Sequence, residues 1–328
     1  MIVKAFKSKS PFNVLLLFAI IIVLRIPYLL LDIPIPVYTY NEPFSVFLFH
    51  NFQFIWTDKL WNVIITSVVI FAQALWLNKI VMDFSLLFRG SYLPALFYVI
   101  MASMFPTFLT LDAAILITFS LLWLLTKLFG LYKSNHATMI TFDSGMIIAC
   151  TSLLYFPSVL WLLLIWIALI IFRPFAWREW ISGLAGFMLP YLFVALFYFW
   201  NDDMQAFIRI WSPLKNSLWI TNIHMSLIDF LPLLPITLIF LIALNKMKEN
   251  FYKNVVHVRK CQQLLIFTIL VSALAYYIKP SFRFNHFILL AAPLAVFISY
   301  YFLVAKKAWL SELLVLFLML SILFFQVY

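Results

Sequence analysis

The chain is 328 residues long, 66% hydrophobic and only 10% charged, with a mean hydropathy of +1.06 and a net charge of +10. A soluble domain is nearer half apolar and a quarter charged, so water could not solvate this surface and lipid could. The basic excess fits loops facing anionic lipid headgroups, and no nucleic-acid partner is expected.

A spanning helix needs about 20 predominantly apolar residues. The first such run, 14–31, follows a basic tail, 1–13, that carries Lys4, Lys7 and Lys9. The tail resembles the start of a signal peptide, but no small-residue cleavage site follows, so an uncleaved first helix is expected. Further helices are predicted at 61–78, 93–109, 112–128, 142–156, 158–172, 181–200, 226–244, 263–278, 287–304 and 308–326. The segments 142–156 and 158–172 are short and join at Phe156-Pro157-Ser158, as in a tight hairpin that does not cross fully. The expected fold is all-α: one integral membrane domain over 1–328 with about eleven spans. With only 5 glycines, close glycine-mediated helix packing is not expected. Cys150 and Cys261 lack metal-ligand spacing and read as small buried hydrophobes.

Charge orients the chain. With a cytoplasmic N-terminus, sixteen of the 22 Lys and Arg fall on the cytoplasmic side, five outside, and Arg25 within the first helix. This is the positive-inside asymmetry, and it predicts a C-terminus outside; the expected setting is a bacterial inner (cytoplasmic) membrane. The longest non-spanning stretches, 32–60 and 201–225, are then outer loops, and 245–262 is a basic inner loop.

The outer side collects the chemistry. The first outer loop holds Asp32 and Asn41-Glu42-Pro43, followed by an apolar, aromatic stretch from Phe44 to Trp56 suited to a helix lying in the interface. Proline fits a first helical turn and a carboxylate fits a helix N-terminus, so Glu42 reads as a capping acid or as a general base at the membrane surface. The segment Lys279-Pro-Ser-Phe-Arg283-Phe-Asn285-His286 gathers two cations and a histidine where basic residues are otherwise scarce. Arg and Lys suit phosphate contact, and snorkelling anchors are the ordinary alternative. Between 201 and 225 lie Asp202, Asp203, Arg209, Trp211, Lys215, Trp219 and His224, which fit an interfacial loop or helix. A cation as deep as Arg25 costs roughly 2.5–3.5 kcal/mol at mid-helix, so it should snorkel or pair, with Asp112, Asp229 or Glu42 at suitable depth. Asp112 and Asp143 begin predicted helices and read as caps. Glu312 stands nearly alone as an acid inside a predicted span. P-loop, GxGxxG, HExxH and GxSxG patterns are absent from the sequence.

This layout resembles the GT-C class of membrane glycosyltransferases. The resemblance rests on the first outer loop with its acid and interfacial helix, the hairpin Phe142–Pro157, the Arg173-Pro-Phe-Ala-Trp-Arg178-Glu-Trp180 turn, and the late outer cations. The chain also looks like a bacterial multi-pass membrane family with the same Arg-Pro-Phe turn. GT-C membership implies a polyprenyl-phosphate sugar as donor. It implies Glu42 or Asp32 as base and Lys279, Arg283, His286 and Arg25 as phosphate contacts, with Asp112, Asp202, Asp203 and Arg209 as further candidates. It implies no fixed metal site and leaves a divalent cation as an optional cofactor. Here the acids Asp32 and Glu42 stand apart, with no acidic neighbour. Two other functions fit the composition: a non-catalytic subunit of a secretion or envelope-assembly complex, with membrane protein partners, and a transporter or flippase for a lipid-linked substrate.

Overall fold

Hydropathy marks where lipid lies along a helix, and the helices of this chain run past those marks at their polar ends. The computed structural model describes residues 2–31, 35, 42–214, 233–278, 284–305 and 308–327. Its helices are, in chain order, α1 (Ile2–Phe6), α2 (Phe12–Leu30), α3 (Pro43–Asn51), α4 (Gln53–Thr57), α5 (Lys59–Asp83), α6 (Leu93–Met101), α7 (Ala113–Phe129), α8 (Ala137–Leu154), α9 (Leu162–Phe172), α10 (Trp177–Trp200), α11 (Met204–Ile210), α12 (Leu233–Asn250), α13 (Val256–Ala275), α14 (Ile288–Val304) and α15 (Ala308–Val327). Among the described residues there is no strand. Among the described residues six helices are long and apolar enough to cross a bilayer: α2, α5, α8, α10, α13 with its 3-10 extension to Ile278, and α14 with the 3-10 turn from Phe284. The chain is built as an α-helical membrane protein.

The predicted boundaries need correction in four places. The segment 245–262 is not an open loop. α12 runs on through Lys246–Glu249, an i,i+3 ion pair at 2.8 Å, to Asn250, and α13 begins at Val256. Straight-chain charged residues are good helix formers, so the helix continues where the apolar run stops. The predicted helix 93–109 breaks after Met101; Phe105 is extended (φ −113, ψ 146) ahead of Pro106, as a residue before proline must be. α8 begins five residues earlier than expected, so Asp143 is not a cap. It lies in the second turn and pairs with Lys127 at 2.7 Å. The hairpin joint is Tyr155, extended at φ −148 and ψ 101, after which a 3-10 turn, Phe156–Trp161, leads into α9.

Every residue of α6 is buried, which makes this nine-residue helix the centre of the bundle. It is enclosed by α2, α5 and α14, with α7 packed between α5, α8 and α14. The tightest crossing is α8 on α10. A Cβ on Gly145 would stand 2.8 Å from the Phe187 amide nitrogen and closer still to the Gly183 carbonyl oxygen. One on Gly186 would stand 2.9 Å from the Phe142 carbonyl carbon. Lipid tails offer no hydrophobic drive between helices, so close backbone approach supplies the attraction here. Glycine packing is therefore a feature of the fold after all, concentrated at one crossing.

Two further expectations change. Cys150 is exposed while Cys261 is buried, and both thiols are free. Glu312 is not a mid-membrane acid. It lies in the first turns of α15, where Oε2 accepts from the Val3 amide at 3.1 Å and Oε1 from the Lys4 amide at 3.0 Å. These are the orphan donors at the start of α1, so Glu312 ties the N-terminal segment to the last helix.

Candidate functional site

The site grows from a break in the chain. Where α8 ends at Leu154 and the 3-10 turn begins at Phe156, a carbonyl and an amide lose their helical partners. The first turn of α3 supplies both. The Ser45 hydroxyl donates to the Leu154 carbonyl, and Glu42 Oε1 accepts from the Phe156 amide at 3.3 Å. Glu42 occupies the N-cap position of α3 behind Pro43, as its sequence suggests, yet its carboxylate makes no hydrogen bond to that helix. It serves the helical start on the neighbouring element, where an anion is favoured by the exposed amides. The residue is 6% exposed.

Tyr155 links this clamp to the histidine. Its hydroxyl lies 2.9 Å from His286 Nδ1, and His286 Nε2 lies 2.7 Å from the Ser272 carbonyl oxygen. A carbonyl only accepts, so Nε2 carries the proton and Nδ1 accepts from the phenol. One residue earlier, the Asn285 amide donates to Asp112 Oδ2 at 2.8 Å, and Asp112 Oδ1 accepts from the Ala113 amide at 2.7 Å at the start of α7. Asn62 Oδ1 accepts from the Leu111 amide at 2.8 Å and the Trp56 indole donates to the Leu111 carbonyl at 3.2 Å, which fastens α4 and α5 to the same corner. The structure thus brings together Glu42, His286 and Asp112, three candidates far apart in sequence. It joins them through 155–156 and 285–286.

An aromatic wall stands beside Glu42. Trp211 packs on Tyr191 (4.9 Å between ring centres) and on Phe156 (5.7 Å), and the Tyr191 hydroxyl meets Ser152 Oγ at 2.8 Å. Trp211 is placed by α11. The exposed Asp203 caps that helix by accepting from the Ala206 amide at 3.3 Å, and Arg209 is exposed in its last turn. Asp202, exposed with φ 54, makes the bend between α10 and α11. Asp202 and Asp203 shape the wall's support.

Arg25 stands outside this network. It is 2% exposed, and Nη1 donates to the Ile21 carbonyl at 3.4 Å, one turn back on α2. Its Nε and Nη2 have no hydrogen-bond partner among the described residues. The neighbouring Tyr98 donates its own proton to Gln73 at 2.7 Å. The proposed pairings of Arg25 with Glu42 or Asp112 are not formed, because those acids serve the 3-10 turn and α7. Asp32, Lys279, Arg283, Lys215, Trp219, His224 and Asp229 lie outside the described residues. Among the described residues no group of three His, Cys, Asp or Glu could hold a metal ion. The Arg173–Trp180 turn is structural in its contacts: Arg173 pairs with Glu179 at 3.1 Å and donates to the Ser134 carbonyl.

Sequence reasoning missed the other end of the molecule. Two cavities, of about 380 and 590 Å³, lie beside Lys253, the smaller also beside Arg89, and both residues are among the sixteen cations counted to the cytoplasmic side. Their partners are distant in sequence, and only folding brings them together. The chain matches no family model, no curated protein and no solved structure.

Proposed function

We propose that this chain is a non-catalytic integral subunit of a membrane assembly of the secretion or envelope-building kind. It would have its N-terminus in the cytoplasm and the Glu42 corner at the outer face. One observation supports this reading: Glu42, His286 and Asp112, the described groups best suited to acid–base or phosphate chemistry, each close a broken backbone or side-chain bond within the chain. Buried polar groups satisfied in this way fix a unique arrangement of helices. A base poised for catalysis would instead be expected to face a cavity.

Glycosyl transfer of the GT-C kind is the second reading, favoured by Arg25. A buried guanidinium with two unpartnered nitrogens in a membrane helix is costly and points to a ligand by default. In that reading Glu42 takes the proton of the acceptor hydroxyl, whose oxygen attacks the anomeric carbon. The bond from that carbon to the phosphate oxygen breaks, and the polyprenyl phosphate leaves with its charge held by Arg25. The aromatic wall of Tyr191 and Trp211 offers a face for the sugar.

Glu42→Gln separates the two. A glutamine oxygen still accepts the Phe156 amide, so under the subunit reading folding, partner co-purification and cellular lipid-linked sugar levels all stay near wild type. Under the transfer reading sugar transfer stops while the unfolding midpoint holds. Loss of transfer in a chain that purifies without partners would overturn the subunit assignment.

A further inference from the structure

Three basic residues from separate parts of the chain meet at the end of the bundle opposite Glu42. Lys9 comes from the N-terminal segment, Arg89 from the turn after α5, and Lys253 from the turn before α13; all three line the cavity of about 380 Å³. Each is exposed, and among the described residues none of them pairs with a carboxylate. Among the described residues no acid lines the cavity, and the exposed Asp83, next to the lining residue Met82, forms no ion pair with the three cations. Lys253 donates to the Asn250 side-chain oxygen at 3.0 Å, a neutral partner that leaves its charge uncompensated.

The cations are held there by design of the fold. The Tyr92 backbone amide donates to the Phe6 carbonyl at 2.9 Å, and the Asn13 side-chain Nδ2 donates to the carbonyls of Ala5 and Ser8 at 3.0 and 2.9 Å. Together with the Glu312 clasp on α1, these bonds dock the N-terminal segment, and the Lys9 side chain lies over Gly90. Two further donors point the same way. Asn254 Nδ2 is buried without a partner among the described residues. The 20-residue helix α13 starts at the cavity, through Val255 and Val258, with no side-chain cap. Uncapped amides at the start of a long helix attract anions. The wall beside these groups is apolar and open, with Phe88 60% and Val255 71% exposed, and suits the glycerol and acyl portion of a lipid. The neighbouring cavity of about 590 Å³ shares Lys253 but is less cationic, because its other cation, Lys246, is neutralised by Glu249 on the same wall.

We propose that this pocket binds a phosphate group, with Lys9, Arg89 and Lys253 as its charged contacts and the start of α13 as its floor. The phosphate belongs either to the headgroup of an anionic membrane lipid or to a soluble phosphate compound. The volume holds roughly a dozen waters at about 30 Å³ each, enough for a hydrated phosphate and part of a headgroup.

The test uses the full-length protein released from micelles of mixed phosphatidylglycerol and phosphatidylcholine and weighed intact. Wild type should retain phosphatidylglycerol preferentially. A surface cation near an anionic lipid is worth about fivefold, so Arg89→Gln and Lys253→Gln should each lower that preference about fivefold. Lys9→Gln, Arg89→Gln and Lys253→Gln combined should lower it roughly a hundredfold. Lys127→Gln, at a cation that lines neither cavity, should leave it unchanged. A second arm adds millimolar pyrophosphate. A rise in the wild-type unfolding midpoint that is absent in the triple variant, without lipid preference, would assign the pocket to a soluble phosphate. If lipid preference and pyrophosphate response both survive in the triple variant, or wild type shows neither, the proposal fails. If the triple variant does not fold, the two single variants, both at exposed positions, decide the matter.

Discussion

α5 has 25 residues and spans about 37 Å, and the two ends of the molecule it connects are built on opposite rules. Near Asn62, the ionisable groups meet partners within the chain: Glu42 with the Phe156 amide, His286 with Tyr155 and Ser272, Asp112 with Asn285. Among the described residues, the neutral atoms Asn62 Nδ2, Asn285 Oδ1 and Ser272 Oγ are left buried there without a hydrogen bond. Near Asp83, Lys9, Arg89 and Lys253 gather around an open volume, and among the described residues none of them forms an ion pair. A buried polar group left unmatched costs about 1–3 kcal/mol, so the first end is spent on holding helices in place. Exposed cations cost little to leave unmatched, so the second end keeps its charge available for something from outside. Satisfied groups are poor guides to function even when they carry catalytic side-chain types, and unmatched ones are better guides.

The largest expected effect comes from prising open the matched end. Gly186→Ala places a methyl 2.9 Å from the Phe142 carbonyl carbon, in contact with backbone rather than with a side chain that could swing away. α8 and α10 must separate, which strains the Ser152–Tyr191 bond between them and the support of Trp211. Overpacking of this kind costs about 3 kcal/mol, the upper end of its usual range. The thermal unfolding midpoint in detergent should fall by many degrees, while lipid preference per folded molecule stays constant. A parallel loss of lipid preference would show that the two ends are one cooperative unit and break the comparison.

Next in size is His286→Leu. The substitution keeps the volume roughly equal and leaves the Ser272 carbonyl and the Tyr155 hydroxyl without their histidine partner at a buried site. The expected loss is about 2–3 kcal/mol of stability, read from the same unfolding midpoint. A variant as stable as wild type would mean that His286 is held for a ligand rather than for the fold, and would move the Glu42 corner toward the transfer reading.

Part of this architecture was legible in the sequence. Hydropathy located the long helices, because the lipid constraint acts on each residue separately. It misplaced their ends at Asn250 and Ala137, because a helix ends where its hydrogen bonding ends, and polar helix formers carry it beyond the apolar run. Glu42 and Pro43 read correctly as the start of a helix. The carboxylate's partner did not, because the Phe156 amide is orphaned only by the Tyr155 break. Gly145 escaped notice for a related reason: its counterparts, Gly183 and Gly186, lie on another helix at a spacing that matches no dimerisation motif. Charge counting saw Arg89 and Lys253 but averaged them into a rule about sides. Their convergence with Lys9 is a property of three turns folded together.

The smallest effect sharpens the contrast from the cationic side. Lys127 and Asp143 form a 2.7 Å pair with side chains 33% and 29% exposed, so here a cation does find an acid. Pairs this open to their surroundings contribute at most about 1 kcal/mol, and salt screens them further. Lys127→Gln should shift the unfolding midpoint by a degree or two in low salt and by less in high salt. The same substitution should not change lipid preference, since Lys127 does not line the Arg89 cavity. If a matched pair this exposed is worth so little, leaving Lys9, Arg89 and Lys253 without ion pairs costs the fold little. Adding an acid there is the complementary change: Ser85→Asp, on the cavity wall at an exposed turn position with φ 49, should leave stability within about 0.5 kcal/mol, because aspartate tolerates such backbone. It should cut phosphatidylglycerol preference about fivefold, as the loss of one cation does. Unchanged preference in Ser85→Asp would mean that the charge of the pocket is not what selects its occupant.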